Sequence, residues 1–180
     1  GSGKALGFPR CMWKQKWGAG KILVVQPRRI AAKSLARIAC RFCKCELGEE
    51  IGYRVRFDSR VSAKTKIIYL TDGMIFRFLQ NPANLKEVDL IIFDEFHERS
   101  LFMDASLALA KSYNDCGKIN SRIVVTSATL ELEKISNFLG AKFGLEVNTK
   151  SFPVEIHYKA INSKQTLPAQ VCDNLKALLS

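Results

Sequence analysis

The chain contains no apolar run long enough to cross a membrane, and its first residues carry no apolar stretch of the kind a secretory leader needs. A cytoplasmic location is the expectation that follows. Internal repeats and low-complexity segments are also missing. Six cysteines are present, but Cys40, Cys43 and Cys45 form the only cluster, with no second cluster or nearby histidine to complete a zinc site. Reduced thiols are the expected state. The chain begins on Gly1-Ser2 without a Met, which reads as a piece of a longer protein. Acid is scarce in the first third. Residues 1–66 hold 16 Lys/Arg against 4 Asp/Glu, whereas residues 67–180 hold 12 against 13. The net charge of +11 therefore sits in one region, and a concentrated basic field favours a polyanion as partner over a merely soluble surface.

With 180 residues, 47% of them hydrophobic and 25% charged, the chain can bury one full core and little more. Its centre is Leu90-Ile91-Ile92-Phe93-Asp94-Glu95-Phe96-His97-Glu98-Arg99-Ser100. A short β-branched apolar run reads as a buried strand of a parallel sheet, which places Asp94 and Glu95 at its carboxyl end, where open α/β sheets hold ligands. Adjacent carboxylates repel, so they fit a cation such as Mg²⁺ held through Asp94, with Glu95 orienting a water. An acidic turn capping the strand is the plainer alternative.

Gly1-Ser2-Gly3-Lys4 matches the tail of a phosphate-binding loop, in which backbone N–H groups, a helix start and a lysine meet phosphate oxygens. An incidental glycine-serine start followed by a lysine is the other reading. Position 5 is Ala, so the hydroxyl that follows the lysine in such loops is missing. Gly18-Ala19-Gly20-Lys21 precedes a strand, Lys21–Gln26, and reads as the turn between the first helix and that strand.

Pro27 suits the first turn of a helix from about Arg28 to Glu46. Its apolar positions are Ile30, Ala31, Leu35, Ile38, Ala39 and Phe42; Arg29, Lys33, Arg37 and Arg41 make a basic stripe without interleaved acid. The stripe fits a phosphodiester backbone, or else a solvated face. Gly52–Phe57 alternates as a half-exposed strand does, and Lys66–Leu70 is another strand. Thr71 or Asp72 can cap a helix over Met74–Gln80 that Asn81-Pro82 ends. Leu101–Tyr113 reads as a helix and Arg122–Val125 as a buried strand running into Thr126-Ser127-Ala128-Thr129. Leu130–Leu139 is a helix closed by Gly140, Val147–Lys159 an extended segment, and Leu167–Ser180 the start of a helix.

This alternation predicts an α/β fold with a mostly parallel sheet and helices on both faces. Gly1–Lys4, Gln26-Pro27-Arg28-Arg29-Ile30-Ala31-Ala32, Gly52-Tyr53-Arg54-Val55-Arg56-Phe57, Thr71-Asp72-Gly73-Met74, Asp94-Glu95-Phe96-His97-Glu98-Arg99 and Ser127-Ala128-Thr129 stand in the order seen in DEAH-box ATP-dependent RNA helicases. The chain resembles that family nearly throughout, and with Phe at position 96 it is most similar to the bacterial HrpB-type branch. Ser151-Phe152-Pro153-Val154 resembles the approach to the family's second domain.

The resemblance implies a RecA-like phosphate-loop NTPase domain over residues 1–150, lacking its first strand, and a linker with a truncated second RecA-like domain over 151–180. That strand would be central, so a poorly stable domain is expected. The resemblance implies that Gly1, Ser2, Gly3 and Lys4 cradle ATP, Asp94 holds Mg²⁺, Glu95 handles the attacking water and His97 couples hydrolysis to strand movement. Ser127 and Thr129 would link the nucleotide site to the groove, while Arg28, Arg29, Arg54, Arg56 and Thr71 would face single-stranded RNA, or DNA. Ala5, the sequence Leu6-Gly7 after it and Ile38 depart from the family pattern. Without the second domain and its arginine finger, worth about 10³–10⁵ in rate, the chain alone is expected to hydrolyse ATP barely. A non-catalytic nucleic-acid-binding remnant and a protein-interaction remnant are the rival expectations.

Overall fold

The computed structural model describes residues 3–15, 19–128, 132–141, 144–146, 155–156, 158, 160 and 165–179. The chain divides into two compact units, Gly1–Leu145 and Glu146–Ser180. Within the second, the described element is helix α6 (Leu167–Leu179). Most of Val147–Lys159 and all of Ser151–Val154 lie outside the described residues, as do Gly1, Ser2, Thr129 and Leu130.

The first unit runs α1 (Lys4–Lys14), β1 (Lys21–Gln26), α2 (Arg29–Cys43), β2 (Ile51–Val55), β3 (Asp58–Arg60), β4 (Ile67–Thr71), α3 (Asp72–Leu79), β5 (Val88–Phe93), α4 (Leu101–Asp115), β6 (Arg122–Val125) and α5 (Leu132–Leu139). The six strands form one sheet in the order β3-β2-β4-β1-β5-β6. All neighbours are parallel except β2 and β3, an antiparallel hairpin. The parallel sheet and its alternating helices are those the sequence predicts.

Alternate residues of β1, β4 and β5 enter opposite cores. Leu23, Val25, Leu70, Ile91 and Phe93 pack with Ile75 and Leu79 of α3 and Met103, Leu107 and Ala110 of α4. Ile22, Val24, Tyr69, Leu90 and Ile92 pack with Ala32, Ala36, Ala39 and Cys40 of α2 and Met12 of α1. Burial on both faces is why these strands read as continuous apolar runs.

Several local expectations are corrected, among them Arg122–Val125, which is a partly exposed edge strand and not a buried one. The buried stripe of α2 is Ala32, Ala36, Ala39 and Cys40, while Ile30 is 80% exposed and Phe42 62%. Small side chains let the helix sit close over Tyr53 and Tyr69, which already fill that layer. Strand β2 is nearly all buried rather than half exposed, because β3 and β4 flank it and α2 covers it. Thr71 takes the N-cap backbone position of α3 without a side-chain cap bond. Asp72 Oδ1 instead accepts the Gly73 N–H at 2.7 Å. The basic stripe of α2 does meet an acid, though from a different element. Lys33 Nζ pairs with Asp58 of β3 at 2.7 Å, and this bond, aided by the Tyr53 hydroxyl, holds the Asp58 carboxyl below its usual range.

The turn before β1 sits at the amino-terminal end of the sheet. There Gly20 N–H donates to Asp89 Oδ2 at 2.6 Å and Lys21 N–H to the Glu87 carbonyl at 2.6 Å. That is the end opposite Asp94, so Gly20 serves in a turn there.

All six cysteines are unpaired thiols. Burial, with Cys45 beside it, pushes the Cys40 thiol up to about 12, so it stays protonated and packs as a small apolar side chain.

Candidate functional site

The carboxyl ends of β1, β4, β5 and β6 lie side by side, and the polar residues that follow them meet there. Asp94 is 1% exposed. Its N–H donates to the Val25 carbonyl at 3.0 Å, one carboxylate oxygen accepts from Gln26 Nε2 at 2.7 Å, and the other accepts the Thr126 hydroxyl. Among the described residues no cation pairs with Asp94. A buried carboxylate whose only partners are neutral donors keeps free lone pairs and an unbalanced charge.

Glu95 follows with φ 53°, in the left-handed region, and starts a single 3-10 turn, Phe96–Glu98, that Arg99 closes at φ 41°. Two non-glycine residues in this region store roughly 1–3 kcal/mol each, so the surroundings must over-determine the loop. They do. Phe96 is buried, its N–H donates to the Thr126 carbonyl at 3.1 Å, and the Arg99 guanidinium lies 5.2 Å from its ring centre while holding Asp104 at 2.9 Å. The loop thereby projects Glu95 and His97 outward, with side chains 39% and 31% exposed. His97 Nδ1 is 3.4 Å from Glu95 Oε2 and 3.3 Å from Ser127 Oγ.

Lys4 opens α1 on the same side. Gly3, at φ 70°, is its N-cap, no side chain caps the helix and its first turn holds no acid. The helix start thus presents uncapped N–H groups to an anion. Lys4 Nζ donates to the Ser127 carbonyl at 2.8 Å, which uses one of its three N–H bonds and fixes the ammonium beside the end of β6.

Pro9 interrupts α1, and having no N–H it leaves the Ala5 carbonyl without its helical donor. Tyr69 supplies it, its hydroxyl donating to Ala5 O at 2.9 Å. Burial, reinforced by Asp94, raises the Tyr69 phenol well above its usual range, so the donor proton stays in place. Thr126 stands among the small hydroxyl residues at the end of β6 and Gln26 opens the motif after β1, but Tyr69 is not legible as a site residue in the sequence. The signal for the first two is that two apolar strands end on polar residues.

The predicted strand-facing residues are split. Arg29 Nη2 donates to the Arg56 carbonyl at 3.0 Å, joining the start of α2 to the β2–β3 turn. Arg56 lies 4.7 Å from the ring centre of Phe57, which is 89% exposed. Arg28, 73% exposed, reaches across to Glu98 at 3.1 Å. Arg54 is half-buried against Phe78 of α3, and Thr71 is 7% exposed. Arg28, Arg29 and Arg56 are therefore the cations this face offers to solvent.

A parallel sheet that gathers a helix-opening lysine, a buried aspartate and a projecting glutamate at its carboxyl edge defines a RecA-like domain. Comparison with known proteins is more particular. Residues 1–138 match the model of the DEAD/DEAH box helicase family, and the chain belongs to that family. It is 39% identical over 161 residues to the probable ATP-dependent RNA helicase DHR2 of Saccharomyces cerevisiae, covering 88% of this chain and 22% of that protein. It is 38% identical over 159 residues to the ATP-dependent RNA helicase HrpA of Borreliella burgdorferi, covering 88% and 19%. The crystal structure of the Escherichia coli DEAH/RHA helicase HrpB superposes with a TM-score of 0.87 at 30% identity, over 99% of this chain and 23% of that one. The chain thus spans about a fifth of the length of these relatives.

Proposed function

We propose that residues 1–150 are the first RecA-like, ATP-binding domain of an ATP-dependent RNA helicase, with residues 151–180 leading into a second. The observation that carries this reading is Asp94, buried without a counterion among the described residues and flanked by Glu95, on the same sheet edge as Lys4. In this reading Gly1, Ser2, Gly3 and Lys4 take the ATP phosphates on backbone N–H groups and the ammonium. Asp94 and Glu95 offer hard oxygen donors that suit Mg²⁺, and no third carboxylate is needed, because Mg²⁺ is ordinarily held by one or two carboxylates with phosphates and waters. When bound, the ion neutralises charge on the phosphates.

Hydrolysis requires a water oxygen to attack the γ-phosphorus while the bond to the bridging oxygen breaks and ADP leaves. Glu95, exposed and aimed outward, accepts the water's proton. His97 sits between Glu95 and Ser127, where a change at the phosphates reaches the end of β6; Thr129 would share that linking role. Arg28, Arg29 and Arg56 grip an RNA backbone, with Arg54 and Thr71 behind them; single-stranded DNA offers the same phosphates. Turnover by the 180 residues alone is expected to be slow.

Ala5 favours one second reading, a domain that keeps the nucleic-acid face and has lost turnover. Calorimetric titration of ATP with and without Mg²⁺, on the parent and on Ala5→Thr, separates the two. Under the helicase reading Ala5→Thr gains Mg²⁺-dependent affinity, by roughly tenfold for one added charge-assisted contact. If neither protein binds ATP, the nucleic-acid binder is the better description.

The basic face has its own test. Binding of a single-stranded RNA should weaken with salt, with a slope of about −2 in log K against log salt if three phosphates are neutralised. Arg29→Ala should make that slope shallower by about 0.7. A slope near zero would exclude a phosphate-gripping face.

A further inference from the structure

We propose that Ser100 is a positioning residue that links occupancy of the nucleotide pocket to occupancy of the nucleic-acid face, acting through Asp72, with Glu98 on Arg28 as a weaker second tie. The inference rests on the functional reading above and names the contact that couples its two sites.

Three contacts join the loop 94–100 to elements on the basic face. Gln26 at the end of β1 holds Asp94 at 2.7 Å, and two residues on, Arg28 holds Glu98 at 3.1 Å. At the end of β4, Asp72 Oδ2 accepts the Ser100 hydroxyl at 2.5 Å, a short charge-assisted bond. Ser100 is the N-cap of α4, and its Oγ also accepts the Met103 N–H at 3.0 Å. Its hydroxyl is thus fixed at both ends. Asp72 is equally committed, since its other oxygen holds the Gly73 N–H at 2.7 Å.

The loop between these contacts is built to move as one piece. Its strained ends, Glu95 and Arg99, enclose a buried Phe96 and a single tight turn. Displacement of Glu95 or His97 by a phosphate is therefore delivered to Glu98 and Ser100 instead of being absorbed. Asp72 and Gly73 open α3 immediately after Thr71, so the far end of the Ser100 bond adjoins a residue that the proposed function assigns to the nucleic-acid side. The Arg28–Glu98 pair is largely solvated and weaker, but a phosphate that claims Arg28 must compete with Glu98 for it.

The test measures the affinity of a fluorescent ATP analogue with Mg²⁺, with and without a saturating 12-nucleotide oligouridine. Wild type, Asp72→Asn, Ser100→Ala, Ser100→Thr and Glu98→Gln are compared. In wild type the two affinities should differ by at least about fivefold, the lower end of ordinary coupling. Asp72→Asn and Ser100→Ala should bind each ligand alone within about threefold of wild type yet bring that ratio to within twofold of unity. Ser100→Thr keeps the hydroxyl and should restore it. Glu98→Gln should tighten oligouridine binding by roughly two- to fivefold by releasing Arg28.

Because Asp72→Asn leaves the cap of α4 intact, a purely structural role for Ser100 would lower the melting temperature of Ser100→Ala while Asp72→Asn kept the wild-type ratio. That result overturns the proposal. So does a wild type that binds both ligands with no coupling, which leaves the functional reading standing. A wild type that binds neither ligand overturns both.

Discussion

Lys4→Met is expected to weaken Mg²⁺–ATP binding by roughly 10–100-fold, the worth of losing one or two hydrogen bonds to a charged phosphate. The ammonium is pre-placed. Its bond to the Ser127 carbonyl at 2.8 Å holds it beside the end of β6, with two donors left for phosphate oxygens. Met has nearly the same length and apolar stem, so α1 should remain seated and the melting temperature should change little. Lys4→Arg should not restore affinity. A guanidinium is a planar fork whose donors cannot occupy the position of a point charge hydrogen-bonded to a single carbonyl. Titration calorimetry on the three proteins decides the matter. Affinities within threefold of one another would mean that Lys4 only ties α1 to β6, and the phosphate-loop assignment of residues 1–4 would fall.

What could be read from the sequence here divides by range along the chain. Strands buried on both faces announce themselves as apolar runs, and their polar exits announce the edge where ligands sit. Asp94, Glu95 and Ser127 come together because β5 and β6 are adjacent parallel strands in register, Phe93 beside Val125. The buried face of α2 is not the one its large apolar side chains predict. The close approach to Tyr53 and Tyr69 instead selects Ala32, Ala36 and Ala39 and leaves Ile30 and Phe42 outside. No window of sequence shows that Tyr69 answers the Ala5 carbonyl that Pro9 leaves unpaired in the helix, 64 residues away, or that Ser100 answers Asp72 across 28. The left-handed backbones of Glu95 and Arg99 were equally hidden, since neither residue type favours that region and only the packing of Phe96 and the Arg99–Asp104 pair enforces it.

Gly52→Ala is expected to do the most structural damage of any glycine-to-alanine change among the described residues. A Cβ at Gly52 would lie 2.1 Å from the Arg60 carbonyl oxygen and 3.0 Å from Val61 Cγ1. The first of these is backbone, which cannot rotate away, so β3 must separate from β2. That hairpin is short, pairing Tyr53 with Arg60, Arg54 with Ser59 and Val55 with Asp58, and its turn already holds Phe57 at φ 65°. Displacing β3 also pulls Asp58 from Lys33 and Tyr53, and it shifts the Arg56 carbonyl that orients Arg29. A loss of about 2–3 kcal/mol is expected for overpacking of this kind, which lowers the melting temperature by roughly 4–12 °C in a chain of this size. RNA affinity should fall with it, because Arg29 and Arg56 lose their common anchor. ATP affinity should hold below the melting transition, because Lys4, Asp94 and Glu95 stand on other elements. Gly7→Ala is the control. Nothing lies within 4 Å of a Cβ there and the residue is helical, so the same added methyl should stabilise the chain by roughly 0.5–1 kcal/mol. Equal losses at positions 7 and 52 would show that the hairpin's close approach is not what holds β2 and β3 together, and the anchoring of Arg29 would need another cause.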